Sequence, residues 1–319
     1  MLETDNKLSL PKLDNGAQVP DMSIVLVCWN NKDFLDDCLR SLYEGNLKCS
    51  YDVLVVDNGS TDDSQKMLAE KYPQVQLIQN ENNIGLAAAC NQGTLATTGR
   101  YVLLLNNDTI VNGPALDVLV AFLDAHPEAA AAAGRLLNPD GSFQSGYAAF
   151  STLWEEFLLV TRIGRNIWPA FPRHGESKEP KAAGWLSSAC LLLRRSALDQ
   201  VGLLDESYFI YGDETDLQYR LNKAGWKVYF VPDSTIIHIG GGSMNRWGRR
   251  HRVYRGKLLF YKKHYGFLNN FLLRTMFFVM TFFKLPFCLA FMLLPSTREE
   301  AKQAWKSNLQ IMSLCLNVK

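Results

Sequence analysis

The sequence predicts an α/β fold with a mostly parallel central sheet, flanking helices and a C-terminal apolar helical extension. Short apolar runs rich in β-branched residues alternate with longer helical patterns over the first half of the chain. That alternation is typical of βαβ units. A long apolar and aromatic stretch, residues 271–294, follows a cluster of basic residues and lies outside this pattern. The extension is therefore predicted as a separate element.

The first half of the chain supplies four strands, and each is followed by a helix. The strands are short continuous apolar runs, as expected when both faces of a sheet are covered; they are predicted at 23–29, 51–56, 75–79 and 101–105. Asn30 and Asn31 cap the first helix. The second helix runs to about Tyr72, and the third, rich in small residues, runs from Asn82-Asn83 to about Thr98. The fourth has Pro114 near its first turn.

The second half is less regular. Strands are predicted at 129–137, 184–194 and 227–231, and Asn138-Pro139-Asp140-Gly141 is a turn signature. A helical pattern follows the acidic cluster at 212–224, whereas residues 151–181 have no clear assignment. We expect a polar leader at 1–20 without the apolar core of a signal peptide, a catalytic domain at 21–245 and the extension at 246–319.

Composition excludes several classes of function. The 319 residues carry a net charge of +1, which gives no sign of nucleic-acid binding. The seven cysteines form no CxxC pair, so neither a zinc site nor a disulfide framework is indicated, and reduced cytosolic thiols are expected. The sequence contains neither GxGxxG after the first strand nor GxxxxGK[ST], which argues against a dinucleotide site and a P-loop. A diphosphate ligand would therefore need help from a metal ion.

Three positions carry candidate site chemistry. Asp57 and Asp108 end two predicted parallel strands, and such ends open on one edge of the sheet, where α/β proteins bind ligands. A carboxylate there can hold a divalent cation that in turn holds a diphosphate; the alternatives are a helix-capping loop at Asp57 and an ordinary turn at Asp108. His238, followed by Gly240-Gly241-Gly242, is either a metal ligand or a structural histidine.

An acidic cluster places Asp213, Glu214 and Asp216 within four positions. Like charges this close raise at least one pKa, which is one way to obtain a general base near neutral pH. The alternative is an acidic first helical turn stabilised by the helix dipole.

Taken in order, the motifs VLVCWNN, VVDNGSTDDS, NNIGLAAACNQG, YVLLLNNDT, GWLSSACLLLRRSALDQVGLLDESYFIYGDETDLQYRLNKAGW and HIGGGS resemble those of family 2 glycosyltransferases with the GT-A fold. The resemblance is to the rhamnosyltransferase-like branch and covers about residues 23–265. It implies a UDP- or dTDP-linked sugar donor, Mn²⁺ or Mg²⁺, and inversion at the anomeric carbon.

The resemblance also implies roles for individual residues. Asp57 matches the position that contacts the nucleoside, Asp108 matches the metal ligand of a DxD-like motif that begins here with Asn106, and His238 matches a position that completes the metal site. Glu214 aligns with the catalytic base; Asp213 is the second candidate because the usual Glu-Asp order is exchanged. The remaining expected residues are Asn30, Asn83 and Asn107 for the donor, and Trp185 and Asp216 near the acceptor or in a structural role.

The C-terminal extension predicts contact with a membrane. No Asp or Glu occurs between Asp233 and Glu299, and basic residues crowd the start of this interval. A basic stretch beside an apolar one suits an anionic membrane face. An interfacial or hairpin-like association is favoured over a span, because Lys284 would cost about 2.5–3.5 kcal/mol in mid-membrane and Pro286 would kink the helix. A homodimer contact is the third alternative.

The sequence therefore predicts an inverting glycosyltransferase on the cytoplasmic face of the cell membrane, peripheral or monotopic. It would transfer a sugar, with rhamnose as one candidate, to a saccharide or polyprenyl-linked acceptor in cell-surface polysaccharide assembly. The alternatives are a nucleotide-sugar-binding protein without transfer activity and a sugar nucleotidyltransferase. The latter usually has a Gly-rich, basic first loop, whereas Val27-Cys28-Trp29-Asn30-Asn31 contains neither Gly nor Arg.

Overall fold

The computed structural model describes residues 19–161, 163–164, 176–240 and 246–317, which fall into two compact units. The first unit comprises the described residues of 19–150, 176–209 and 213–240, and the second comprises those of 151–164, 210–212 and 246–317. Most of the predicted leader, Gly241 and Gly242 lie outside the described residues.

The first unit is built around one large sheet. In chain order its strands and two short neighbours are β1 (Met22–Cys28), β2 (Tyr51–Asp57), β3 (Gln76–Gln79), β4 (Tyr101–Asn106), β5 (Thr109–Val111), β6 (Ala129–Leu137), β7 (Phe143–Gln144), β8 (Tyr147–Ala148), β9 (Lys181–Ala183), β10 (Trp185–Leu186), β11 (Cys190–Arg194) and β12 (Lys227–His238). The main order is β3-β2-β1-β4-β11-β6-β12-β5, while β8 and β10 pair separately.

The register of the sheet determines where the strand ends meet. Strands β3, β2, β1 and β4 are parallel, as are β6 and β12, whereas β11 is antiparallel to both of its neighbours. Asp57 lies opposite Cys28, and Asn106 lies opposite Val27. The carboxyl ends of β2, β1 and β4 therefore share one edge, as the α/β prediction requires.

Two predicted strands differ from those observed. The run 184–194 is divided into β10 and β11, because Leu186 pairs with β8 and the Ser187 amide donates to the Gly146 carbonyl at 2.7 Å. The run 227–231 continues to His238, and the register shift between Val231 and Thr235 is the kind of bulge that accommodates Pro232. His238 is therefore the last residue of a strand rather than part of a loop after it.

Helices cover the sheet of the first unit: α1 (Lys32–Glu44), α2 (Ser64–Lys71), α3 (Leu86–Leu95), α4 (Ala115–Ala125), α6 (Arg195–Val201) and α7 (Asp213–Lys223). Helix α3 starts later than predicted, because the Asn83 side chain holds the preceding turn by accepting a hydrogen bond from the Gly85 amide. The small residues of α3 allow close packing on β1: a Cβ atom at Gly93 would lie 2.4 Å from Val25 Cγ1.

The second unit is helical. Its elements are α5 (Leu153–Thr161), α8 (Arg246–His264), α9 (Gly266–Phe282), α10 (Leu285–Met292) and α11 (Arg298–Leu316). Helix α9 buries a stripe containing Leu273, Phe277 and Thr281, but an apolar stripe that includes Phe267 and Phe271 is exposed. Within the described residues, Gly266–Met292 is long and apolar enough to cross a membrane, with a mean hydropathy of 1.8.

Candidate active site

The first group of predicted site residues lies at the carboxyl end of β2. The Asp57 side chain is fully buried, and both of its oxygens accept a hydrogen bond from the Ser60 amide at 3.3 Å. The Gln65 amide also donates to Asp57 Oδ2 at 2.5 Å. The Asp57 carboxylate therefore holds the loop between β2 and α2 in shape, next to the end of β1.

Two asparagine side chains stabilise the loops around Asp57 through hydrogen bonds. Asn30 has a positive φ of 54°, a conformation that Asn tolerates better than most residues, and its Oδ1 accepts from the Thr61 amide at 2.7 Å. Asn83 Oδ1 accepts from Asn58 Nδ2 at 3.1 Å and from the Gly85 amide at 3.0 Å. Both side chains thus order the backbone at this edge of the sheet.

The second group joins the end of β4 to the end of β12. His238 pairs with Thr109 in the sheet, which places its imidazole beside the turn that follows β4. His238 Nε2 lies 3.3 Å from Asp108 Oδ1 and 3.4 Å from Asn106 Nδ2. The Ile239 amide donates to the Asp108 carbonyl at 2.9 Å, while Asn107 is buried. His238, which follows Asn106 by 132 residues in the chain, therefore meets Asn106 and Asp108 at one point.

Gln144 is a member of this group that the sequence reasoning missed. Its Oε1 lies 2.6 Å from His238 Nδ1, while its Nε2 donates to Asn138 Oδ1 at 2.9 Å and to the His238 carbonyl at 3.3 Å. These two acceptors orient the amide, so its Oε1 must accept from Nδ1–H. In this tautomer His238 Nε2 is an acceptor that faces both Asp108 Oδ1 and the side-chain amide of Asn106.

This arrangement fits an open divalent-cation site. Asp108 Oδ1 and His238 Nε2, 3.3 Å apart, are two acceptors that one shared proton or one bound cation would satisfy. No group of three or more His, Cys, Asp and Glu side chains that could hold a metal ion occurs in the described ranges. Mg²⁺-type ions commonly use one or two carboxylates and complete their coordination with waters and substrate phosphates. Asp108 and His238 could therefore supply two of the ligands of such an ion.

The acidic pair at the start of α7 consists of two unlike carboxylates. Asp213 is almost fully buried, and its Oδ1 lacks a hydrogen-bond partner, whereas Glu214 is partly exposed. Burial, reinforced by the neighbouring Glu214 carboxylate, raises the pKa of Asp213 well above its ordinary value. Asp213 thus tends to keep its proton, while Glu214 is the carboxylate that an incoming group can reach.

The two residues expected near the acceptor lie in different surroundings. Trp185 is partly exposed on β10, opposite Ala148 of β8. Asp216 is buried; it accepts from Tyr208 Oη at 3.3 Å and from Arg220 Nε at 2.8 Å. Arg220 also donates to the Val201 and Leu203 carbonyls. These contacts favour the structural alternative for Asp216.

Comparison with known proteins agrees with this architecture. The sequence pattern of glycosyl transferase family 2 matches residues 23–202, more than half of the chain. An N-acetylglucosaminyl-diphospho-decaprenol L-rhamnosyltransferase of Mycobacterium tuberculosis is 34% identical over 211 residues, which cover 61% of this chain and 68% of that protein. The amylovoran biosynthesis glycosyltransferase AmsE of Erwinia amylovora is 24% identical over 271 residues, which cover 80% of this chain and 93% of that protein.

Among solved structures, the mannosyltransferase PcManGT from Pyrobaculum calidifontis, in complex with GDP-Man and Mn²⁺, is similar with a TM-score of 0.55. The identity is 15%, and the match covers 94% of this chain and 88% of that chain. Likeness at this identity concerns the fold, and it confirms the predicted GT-A class. The family match and the rhamnosyltransferase relative confirm the resemblance seen in the motifs. The chain therefore belongs to glycosyl transferase family 2.

Proposed function

We propose that this protein is an inverting glycosyltransferase of cell-surface polysaccharide assembly. It transfers a sugar from a UDP- or dTDP-linked donor to a hydroxyl of a saccharide or polyprenyl-linked acceptor. Family membership and the polysaccharide-related names of its relatives support the reaction class. The rhamnosyltransferase relative, whose name includes a diphospho-decaprenol acceptor, makes rhamnose and a lipid-linked saccharide the first candidates to test.

The observation that carries this proposal is the convergence of Asp108 and His238 at the edge of the sheet. These two side chains would hold Mn²⁺ or Mg²⁺ together with the donor diphosphate. When bound, the cation stabilises the negative charge that develops on the leaving diphosphate. Gln144 fixes the His238 tautomer in which Nε2 is an acceptor, and loss of a hydrogen-bond partner that orients a metal ligand in this way typically lowers metal affinity 10–100-fold.

The remaining donor residues are assigned to the loops around that edge. We assign Asp57, whose carboxylate orders the loop after β2, to the nucleoside end of the donor pocket, and Asn30, Asn83, Asn106 and Asn107 to the shape of that pocket. The hydrogen bonds of Asn30 and Asn83 within these loops support a shaping role rather than a charge-binding one. Trp185, partly exposed, is the candidate for stacking on an acceptor sugar.

We assign removal of the acceptor's hydroxyl proton to Glu214. Its carboxylate removes the hydroxyl proton while the acceptor oxygen forms a bond to the anomeric carbon. The bond from that carbon to the donor diphosphate breaks in the same displacement, and the diphosphate leaves with the electron pair. Because a single in-line displacement occurs, the anomeric configuration inverts. The greater accessibility of Glu214 favours it over the buried Asp213.

A panel of nucleotide sugars tests the donor assignment. We expect UDP- or dTDP-sugars to raise the melting temperature in the presence of Mn²⁺ or Mg²⁺, and the increase to be lost with EDTA, because the cation and the diphosphate complete one site. A donor that binds without ever being transferred or hydrolysed would favour the nucleotide-sugar-binding alternative. Equal stabilisation by all donors with and without metal would contradict the assignment.

We propose that the second unit contacts the inner face of the cell membrane. Phe267, Leu268, Phe271, Phe282 and Phe283 expose between 52% and 83% of their surface along α9 and just after it. The described residues 246–317 contain thirteen Lys and Arg but only two Glu. Two copies of such a basic surface would repel one another, whereas anionic lipids attract it. The charge therefore favours a peripheral or monotopic membrane contact over a homodimer.

Cell fractionation tests the membrane contact. We expect the double variant Phe271→Ser/Phe282→Ser to lower membrane partitioning on the order of a hundredfold, because each buried aromatic side chain contributes about 1.5–3 kcal/mol. The control Leu77→Ser/Ile84→Ser removes two exposed apolar side chains from the first unit. Deletion of residues 267–319 should release the protein completely. If the deleted and full-length proteins fractionate alike, the membrane assignment is wrong.

A further inference from the structure

The second unit contains a cavity of about 680 Å³ that the proposed transfer reaction does not use. Its volume lies in the range of sites that bind small molecules. The lining residues come from α5, α8, α9, α10 and α11, so the cavity lies within the helical unit. Its wall combines cationic side chains with aromatic ones, and these two kinds of residue indicate the chemistry of a ligand.

Three of the cations lie on α8, and one of them is available to an anion. Lys257 Nζ lies 2.6 Å from both carboxylate oxygens of buried Glu156, and Arg246 pairs with Glu300. Arg250 instead has Nη1 3.4 Å from Ser307 Oγ and its guanidinium 5.5 Å from the centre of the Tyr254 ring. No carboxylate of the described residues forms an ion pair with Arg250.

Asn308 supplies a second, independent sign of a ligand. Its side chain lines the cavity and is only 2% exposed. Asn308 Nδ2 donates to Cys288 Sγ at 3.4 Å, but Oδ1 has no hydrogen-bond partner. A buried acceptor without a partner costs free energy. A hydroxyl on the ligand, such as the P–OH of a phosphate monoester or a headgroup alcohol, would satisfy it.

The aromatic part of the wall leads out of the cavity. Tyr254 and Phe277 are mostly or fully buried, whereas Phe287 and Phe291, which line the same cavity, are exposed on α10. An apolar chain that starts in the cavity can therefore continue along the exposed apolar face of the unit.

We infer that this cavity binds a phosphate group carried on a long apolar chain, with the phosphate at Arg250 and a hydroxyl at Asn308. A phospholipid headgroup and an isoprenyl phosphate both have this chemistry. The inference extends the proposed membrane contact by adding a specific lipid site. It requires neither donor nor metal, so its test is independent of transfer activity.

Calorimetric titration of the full chain with decyl phosphate, below its micellar concentration, tests the site. Arg250→Gln should weaken binding about tenfold or more, because a hydrogen bond to a charged group is lost. Arg250→Lys should retain most of the affinity. Lys262→Gln, which removes a charge from an exposed position on the same helix, should change it less than about twofold. Neutral decyl glucoside should bind weakly and should not respond to Arg250→Gln.

A second variant fills the cavity instead of removing its charge. Ala304→Phe places a ring where a small side chain lines the wall, and it should also abolish decyl phosphate binding. Thermal melting checks that each variant is folded. Equal weakening by Arg250→Gln and Lys262→Gln, or normal binding by Ala304→Phe, would overturn the inference, since attraction would then come from the basic surface as a whole.

The natural source of the phosphate is distinguished with vesicles. Phosphatidylcholine vesicles carry either phosphatidylglycerol or an isoprenyl phosphate, and retention of the full chain is compared with that of Arg250→Gln. Dependence on Arg250 in one of the two series identifies the ligand class. If the full chain and Arg250→Gln are retained equally in both series, the cavity binds no membrane lipid, and the inference fails.

Discussion

Replacing Asp108 with alanine is expected to lower the transfer rate about a thousandfold or more. Asp108 is the only carboxylate of the group formed by Asn106, Asp108 and His238, so the variant leaves the proposed cation without a negatively charged protein ligand. A metal ion supplies several kcal/mol of transition-state stabilisation, and each 1.36 kcal/mol is a factor of ten in rate. Transfer rates at saturating donor measure the effect.

Metal binding separates this loss from a folding defect. The Asp108→Ala protein should keep a normal melting temperature without ligand but lose the extra stabilisation by Mn²⁺ with UDP or dTDP. Asp199→Ala, which removes an exposed carboxylate from α6, is the matched control and should behave like the wild type. Metal-dependent transfer by Asp108→Ala within tenfold of the wild-type rate would remove Asp108 from the site.

The second large effect is expected for Glu214→Gln. This variant keeps the shape of the side chain but can no longer accept a proton, so transfer should fall about 10²–10⁴-fold, the usual contribution of a positioned general base. Donor binding, measured by thermal shift, should be retained. Near-normal turnover would transfer the role of base to Asp213.

Asp213→Asn is the matched control, and it should also change how the folding stability depends on pH. Because the pKa of Asp213 is raised in the folded protein, the folded state holds a proton at pH values where the unfolded chain has released it. Stability therefore falls as the pH rises from about 3.8 toward the raised pKa. Asp213→Asn lacks this dependence, so its melting temperature should exceed that of the wild type by a margin that grows with pH.

Activity of Asp213→Asn then completes the comparison. If Glu214 is the base, this variant keeps most of the transfer rate, because the protonated Asp213 side chain hydrogen-bonds to Glu214 and an amide at position 213 can donate in its place. A loss as large as that of Glu214→Gln would mean that the two carboxylates act together.

Much of the sheet could be predicted because its residues carry a local signal. Continuous apolar runs such as 101–105 are stable only where both faces of a strand are covered, so they indicate central strands of a covered sheet. The division of 184–194 could not be predicted in this way. It depends on Leu186 pairing with β8, a contact that a run of apolar letters does not encode.

The candidate site shows the same contrast. Asp57 and Asp108 were recognisable because each ends an apolar run, and the family motifs pointed to His238. Nothing in the sequence indicated a role for Gln144, since a polar residue in a two-residue strand resembles any other loop position. Its contact with His238 joins positions 94 residues apart.

By itself the sequence determined the α/β class, the positions of the first strands along the chain and the acidic residues that follow two of them, because periodicity and strand termination are local properties of the chain. Only the tertiary structure decided that β12 runs on to His238 and pairs with β5, which brings His238 Nε2 to Asp108. It also decided that Asp213 is buried while Glu214 stays accessible. Both results depend on non-local packing, which sets the distance between side chains and their access to water.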